Sequence, residues 1–164
     1  MSRRGLLSLL VALAACGGDG DDEAVRPLLD QIGPAIEAVE AERGGPQRFF
    51  EINATPQVVN LFVATDGATG VVPYVYIGGE LSSPAAATTA EGATFTADAV
   101  TFDPAAILDG VTGELPDSDV VLFSIVGGPG GAVQYGAAVR SDAGGMLDIL
   151  LGPDGVVQSV DSAS

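Results

Sequence analysis

The side chains of this sequence that could do chemistry are carboxylates, hydroxyls, three tyrosines, six arginines and a single cysteine, Cys16. Histidine and lysine are absent from all 164 residues. Without histidine or a second cysteine, the chain cannot assemble a conventional zinc, copper or iron site. The Ser-His-Asp, Cys-His and Ser-Lys systems are excluded because their bases are missing. We therefore expect no cofactor, no metal and no catalytic residue, although paired carboxylates could still support a glycosidase-type mechanism.

Carboxylates are the abundant chemical group, with 22 aspartates and glutamates in the chain. One cluster, Asp19–Glu23, follows Cys16, but its spacing does not match the calcium loop of an EF-hand. A second cluster is formed by Glu114, Asp117 and Asp119, where a predicted helix gives way to a strand. Acids are common in both settings as solvated surface. We interpret both clusters in that way, with calcium binding as the alternative.

The glycine-rich stretch 127–131 could suggest a loop that cradles phosphate. It lacks the Gly-Lys-Ser/Thr ending of a phosphate-binding loop, and it connects two β runs rather than a strand and a helix. The stretch therefore predicts a hairpin connection.

The three tyrosines, Tyr74, Tyr76 and Tyr135, fall in alternating β patterns and could line one face of a sheet. Exposed tyrosines are good anchors for a binding partner because each offers a large apolar ring and a polar tip. We take them as a candidate binding face. The alternative is that they are half-buried core residues.

The surroundings of Cys16 predict a targeting signal. Two arginines at positions 3 and 4 precede an apolar run over 6–13, which is too short to span a bilayer. Leu13-Ala14-Ala15-Cys16 resembles the lipobox of bacterial lipoproteins. The resemblance implies that a diacylglyceryl group is attached to the Cys16 sulfur and that the chain is cut after Ala15. Two or more acyl chains anchor a protein stably in a membrane.

We accordingly expect residues 1–15 to be a signal peptide and 16–24 to be a flexible acidic tether. The protein would then be attached by lipid to the extracytoplasmic face of the cell membrane or of the outer membrane. The formal net charge of −16 becomes more negative when the two arginines of the signal are removed. Such a charge repels nucleic acid. It is expected to serve solubility near the membrane or to attract cations or an envelope protein with a basic surface.

The periodicity of the remaining chain, 25–164, predicts one α+β domain made of two similar halves, 25–81 and 95–160, joined by a loop at 82–94. Helical spacing over Val25–Arg43 is followed by three alternating stretches around 50–54, 59–63 and 71–77. Asp103 as N-cap and Pro104 as first helical residue predict a second helix, and strands follow again at 120–126, 133–139 and 147–151.

This order predicts two αβββ-type repeats that form an antiparallel sheet with both helices on one face. The layout resembles the αβββ units of PepSY-like and β-lactamase-inhibitor-like bacterial modules. That resemblance implies a protein that binds other proteins or modulates peptidases. The expected function is a non-catalytic, lipid-anchored binding or accessory module of the cell envelope. The alternative is a carboxylate-dependent hydrolase that acts on an envelope glycan.

Overall fold

The computed structural model describes residues 26–162. It contains two α-helices, α1 (Ile32–Arg43) and α2 (Pro104–Glu114), and ten strands in one antiparallel sheet. The prediction of an α+β fold with an antiparallel sheet is thereby confirmed. The strands are β1 (Arg48–Ala54), β2 (Val59–Thr65), β3 (Gly70–Ile77), β4 (Glu80–Leu81), β5 (Thr88–Thr89), β6 (Phe95–Thr96), β7 (Ser118–Gly127), β8 (Val133–Ser141), β9 (Met146–Leu151) and β10 (Val157–Ser162).

The two helices begin and end where their sequences allow. A 3₁₀ turn at Leu29–Gln31 precedes α1, and Pro34 lies in the first turn of the helix, where its missing N–H removes no intrahelical bond. Gly44 ends α1 in the left-handed conformation. The Asp103 side chain accepts a hydrogen bond from the Ala105 N–H at 2.9 Å, which is the N-cap that its position predicts.

Eight of the strands follow the order β10-β9-β8-β7-β1-β2-β3-β4, so the pair β1–β7 lies at the centre of the sheet. In this pair Ile52 lies opposite Ile125. The strands before and after α2 therefore form one continuous sheet, with a seam between β1 and β7.

One face of the sheet carries the core. Ile52, Leu61 and Ile125 lie opposite one another across β1, β2 and β7 and are fully buried. The buried residues of both helices, including Ile36 and Ile107, belong to the same hydrophobic cluster. Both helices therefore pack on this face, and α1 and α2 share a single core.

Three bulges within residues 26–162 shift the pattern that alternation alone predicts. The register slips at Phe50 in β1, at Val121 in β7 and at Gln158 in β10. A bulge inserts one extra residue and reverses the direction of the side chains on one side of it. As a result Phe49 and Val120 are buried, whereas strict alternation with Ile52 and with Phe123 would bury Phe50 and Val121 instead.

The connection at 82–94 is exposed over residues 83–89, but it is tied to the sheet at several points. The N–H groups of Ser82 and Ala85 donate to the carbonyls of Val75 and Pro73, at 2.8 and 3.1 Å. At its far end, Arg48 Nε donates to Thr94 Oγ1 at 2.8 Å. The segment thus follows the free edge of β3 and then crosses to the start of β1.

Candidate functional site

The three tyrosines taken as a candidate binding face lie on the helix-covered face of the sheet. Their side chains are buried, with exposed fractions of 3% for Tyr74, 8% for Tyr76 and 4% for Tyr135. A partner cannot contact them unless the helices move. Their burial corresponds to the alternative in the sequence analysis, core tyrosines, so an exposed binding surface must be built from other residues.

Two of the buried tyrosines hold the elements above them in position. Tyr74 accepts a hydrogen bond from Arg43 Nη1 at the end of α1, at 3.2 Å. The Tyr135 hydroxyl accepts from the Thr101 N–H at 2.9 Å and donates to the Thr101 carbonyl at 3.0 Å. Next to Thr101, the Phe102 ring contacts the rings of Phe123 and Tyr135 with centroid separations of 5.1 and 5.8 Å. Side chains of the sheet therefore fix the position of the segment before α2.

The remaining residues selected from the sequence are in different settings. Cys16 and the acidic cluster Asp19–Glu23 lie outside the described residues. Glu114, Asp117 and Asp119 are exposed, and Asp119 is 3.9 Å from the guanidinium of Arg140. Within residues 26–162 no three acidic or sulfur side chains are grouped closely enough to hold a metal ion.

The glycine stretch 127–131 connects β7 to β8 through a short 3₁₀ turn. The Gly128 N–H donates to the Ala132 carbonyl at 2.7 Å, which closes the hairpin. Gly130 and Gly131 have φ values of 72° and 85°, so the turn needs residues that tolerate the left-handed region. The stretch is a hairpin connection between two strands.

A groove of about 640 Å³ lies between α1 and the segment 97–104. We call it the interhelical groove. Its apolar floor is formed by Ile32 and Ile36 of α1 and by Val100 and Phe102 of the opposite wall. The contacts of Tyr135 and Phe102 hold the segment 97–104 in place, so both walls of the groove are packed against the core.

Carboxylates line the rim of the interhelical groove. Asp30, Glu37 and Glu40 come from the α1 side and Asp98 from the opposite wall. Asp30, Glu37 and Asp98 are exposed, whereas Glu40 is half-buried and accepts a hydrogen bond from the Gln47 N–H at 3.1 Å. No arginine is among the residues that line this groove. The groove therefore combines an apolar floor with an uncompensated negative rim.

This arrangement favours the approach of cations. Carboxylates on a low-dielectric groove concentrate cations and raise their rate of association. Three of the four rim carboxylates are exposed, so a ligand in solution can reach them. The groove can thus attract a positively charged ligand and bury an apolar part of it.

Sequence reasoning missed the interhelical groove. The spacing of Asp30, Glu37 and Glu40 places them along one side of a helix, and this could be read from the sequence. The wall at 97–104 is distant in sequence, and no local pattern indicates that it faces α1. The two walls belong to one core because β1 and β7, which follow them in the chain, are neighbours at the centre of the sheet.

Comparison with protein-family models, with curated proteins and with solved structures gives no match for this chain. Within the described residues, no helix has the length and apolar character needed to cross a membrane.

Proposed function

We propose that the protein is a non-catalytic, lipid-anchored binding module on the extracytoplasmic face of a bacterial membrane, and that the interhelical groove binds a basic segment of an envelope protein. The observation that carries the binding proposal is the groove itself, with Ile32, Ile36 and Phe102 on its floor and only acidic charges on its rim. The lipobox residues up to Cys16 support the anchor.

We also propose that the domain consists of two αβββ-type repeats, as in PepSY-like and β-lactamase-inhibitor-like modules. Three observations support this reading. Each half has a helix followed by three antiparallel strands and a fourth, which is two residues long in β4 and six in β10, the sheet order is symmetrical about the β1–β7 pair, and a bulge occurs early in both β1 and β7. The groove would then lie where the helical layers of the two repeats meet.

The charge of the chain supports a basic partner. The formal net charge is −16, and the rim carboxylates add a local negative field. Such fields accelerate encounter with a cationic partner and weaken as salt screens them. The apolar floor contributes affinity that salt does not screen, so the expected ligand is a segment carrying both basic and apolar side chains.

Neutralising the rim tests the groove. The triple variant Asp30→Asn, Glu37→Gln, Asp98→Asn should bind an amphipathic leucine–lysine helical peptide about tenfold more weakly, because three charge contacts of about 0.5 kcal/mol each are lost. The matched control is Glu42→Gln, Asp109→Asn, Glu114→Gln, which removes three exposed acids outside the groove. Calorimetric titration of both variants, together with a leucine–glutamate peptide, provides the measurement.

A second arm fills the groove without changing charge. Gly33 lines the groove, and a Cβ built there meets no heavy atom within 4 Å outside its chain neighbours, so Gly33→Leu fills the groove and should abolish peptide binding. Because residue 33 precedes Pro34, the leucine variant should also melt at a slightly lower temperature while remaining folded at the temperature of the titration. Gly113→Leu on α2 is the control, because its Cβ is equally free. Equal binding by both leucine variants would remove the groove from the proposal. Release of sugar fragments from an envelope glycan by the purified domain would instead favour the hydrolase.

The anchor is tested separately. Cys16→Ser should release the protein from membranes or leave an uncleaved precursor, because serine cannot accept the thioether-linked lipid that the lipobox resemblance implies. Fractionation and intact-mass analysis measure this outcome. A mature membrane-bound form with a free Cys16 thiol would contradict the anchor and leave the groove proposal untouched.

A further inference from the structure

The two outer edges of the sheet are built differently. Along β3, the free edge is followed by the segment 80–89, which contains only two-residue strands and Pro84. At the other end, β10 is a six-residue strand without proline, in which a bulge at Gln158 is followed by regular pairing with β9 from Ser159 to Ser162. Within residues 26–162 no segment pairs with the side of β10 that faces away from β9. One edge is therefore interrupted and the other is open.

An open edge strand presents alternate N–H and C=O groups that can pair with an added strand. Five of the six residues of β10 are exposed, so this backbone is accessible. Main-chain pairing of this kind supplies affinity but little selectivity. Selectivity must come from side chains of β10 that alternate between the two faces of the sheet.

The side chains on the two faces differ sharply. Asp161 lies directly opposite Asp148 of β9, on the face that no helix covers. Both carboxylates are exposed, and like charges directly opposite each other destabilise a strand pair. Neither β9 nor β10 contains an arginine, and Arg140 of β8 is engaged with Asp119 at 3.9 Å. A cation supplied from outside β10 would relieve this repulsion.

On the other face, Val160 lies opposite the buried Ile149, at the margin of the core. Its side chain is 44% exposed. An apolar side chain of an added strand, placed beside Val160, would extend the core by one row. An added strand would therefore fit this edge best with a basic residue next to Asp161 and an apolar residue next to Val160.

We propose that β10 binds, by strand addition, an extended segment of another protein in which basic and apolar residues alternate. A second copy of this chain does not fit, because β10 carries no basic residue to place beside Asp161 and the chain has a net charge of −16. The proposed site on β10 shares no residue with the interhelical groove, so binding at β10 does not depend on binding at the groove.

The probe is a seven-residue peptide with blocked ends in which valine alternates with arginine. The matched control is the same peptide with glutamate in place of arginine. Two further arginine peptides carry N-methyl groups on alternate backbone nitrogens, one set on odd positions and one on even positions. Strand addition uses only one of these two sets of N–H groups, because the donors of a strand alternate in direction. One isomer should therefore bind like the parent peptide, and the other should lose binding.

Hydrogen exchange with NMR detection gives the location. The arginine peptide should slow exchange at alternate amides of β10, either Ser159 and Asp161 or Val160 and Ser162, and should leave α1 unchanged. Asp161→Asn should weaken binding about three- to fivefold, the size of one cross-strand charge pair. Asp161→Lys should reverse the preference toward the glutamate peptide. Asp142→Asn, an exposed acid in the β8–β9 turn, should have no effect.

Four results would overturn the proposal. They are equal binding by the two N-methyl isomers, protection confined to the interhelical groove, dimerisation of the domain through β10 in sedimentation experiments, and absence of binding by the arginine peptide. The triple groove variant should bind this peptide normally, so failure at β10 and failure at the groove are distinguishable.

Discussion

Replacing Gly155 with alanine is expected to destabilise the protein by about 2 to 5 kcal/mol, through left-handed backbone strain and overpacking together. Gly155 lies in the β9–β10 turn with φ of +81°. A Cβ there would overlap the Ala106 carbonyl of α2, and a Cβ on Gly110 would overlap the Gly155 carbonyl. The obstacles are main-chain atoms of two packed elements, which cannot rotate away.

Denaturant unfolding of Gly155→Ala and Gly110→Ala measures this loss of stability. Alanine substitutions of two other glycines separate the contribution of backbone strain from that of overpacking. Gly144→Ala has the same backbone requirement, φ of +86°, with no neighbour within 4 Å, so it should cost only the strain of about 1 to 2 kcal/mol. Gly113→Ala in α2 is unobstructed and should stabilise by about 0.5 to 1 kcal/mol. If Gly155→Ala cost no more than Gly144→Ala, the close contact between the turn and α2 would be disproved.

The second large effect is expected at Ile107, where truncation to alanine should cost about 2 to 5 kcal/mol. The Ile107 side chain has no exposed surface and belongs to the cluster that also contains Ile36 of α1. Its removal leaves a cavity beneath α2 that the surrounding strands can fill only in part.

The matched control for Ile107→Ala is Ile77→Ala, because Ile77 at the end of β3 is 52% exposed. Its truncation should change the unfolding free energy by about 0.5 kcal/mol or less. Ile36→Ala should lower the unfolding free energy by a similar amount to Ile107→Ala. The far-ultraviolet circular dichroism and the tyrosine fluorescence should change in a single transition, since both helices share one core. Separate transitions for the two helices would show that the core is divided.

Much of the fold could be predicted from local patterns. Alternation in 59–63 predicts that Val59, Leu61 and Val63 are buried, and all three are. Asp103 followed by Pro104 correctly predicts the start of α2. These features depend on neighbours in sequence, where spacing determines which side chains share a face.

Features that depend on distant partners could not be predicted in the same way. The bulges at Phe50 and Val121 reverse the alternation, and nothing in the apolar pattern marks them. The sequence also could not show which sheet face the helices cover, so it left open whether Tyr135 is an anchor for a partner or a support for Thr101. The interhelical groove needs both α1 and the segment 97–104, and only the completed sheet brings them together.

The seam between β1 and β7 has a consequence for the order of folding. On that side β1 pairs with β6 over Arg48 and Phe49, and the rest of β1 acquires its partner only when the chain has been synthesised as far as β7, because Glu51 pairs with Val126. The hairpins β2–β3 and β8–β9 can close locally and early, but the seam waits for a long loop to close, and pairings of this kind slow folding. The hairpin β2–β3 should therefore close before it has its partner across β1–β7, and the interhelical groove, whose wall is held by Tyr135 of β8, should form only after β7 and β8 have docked.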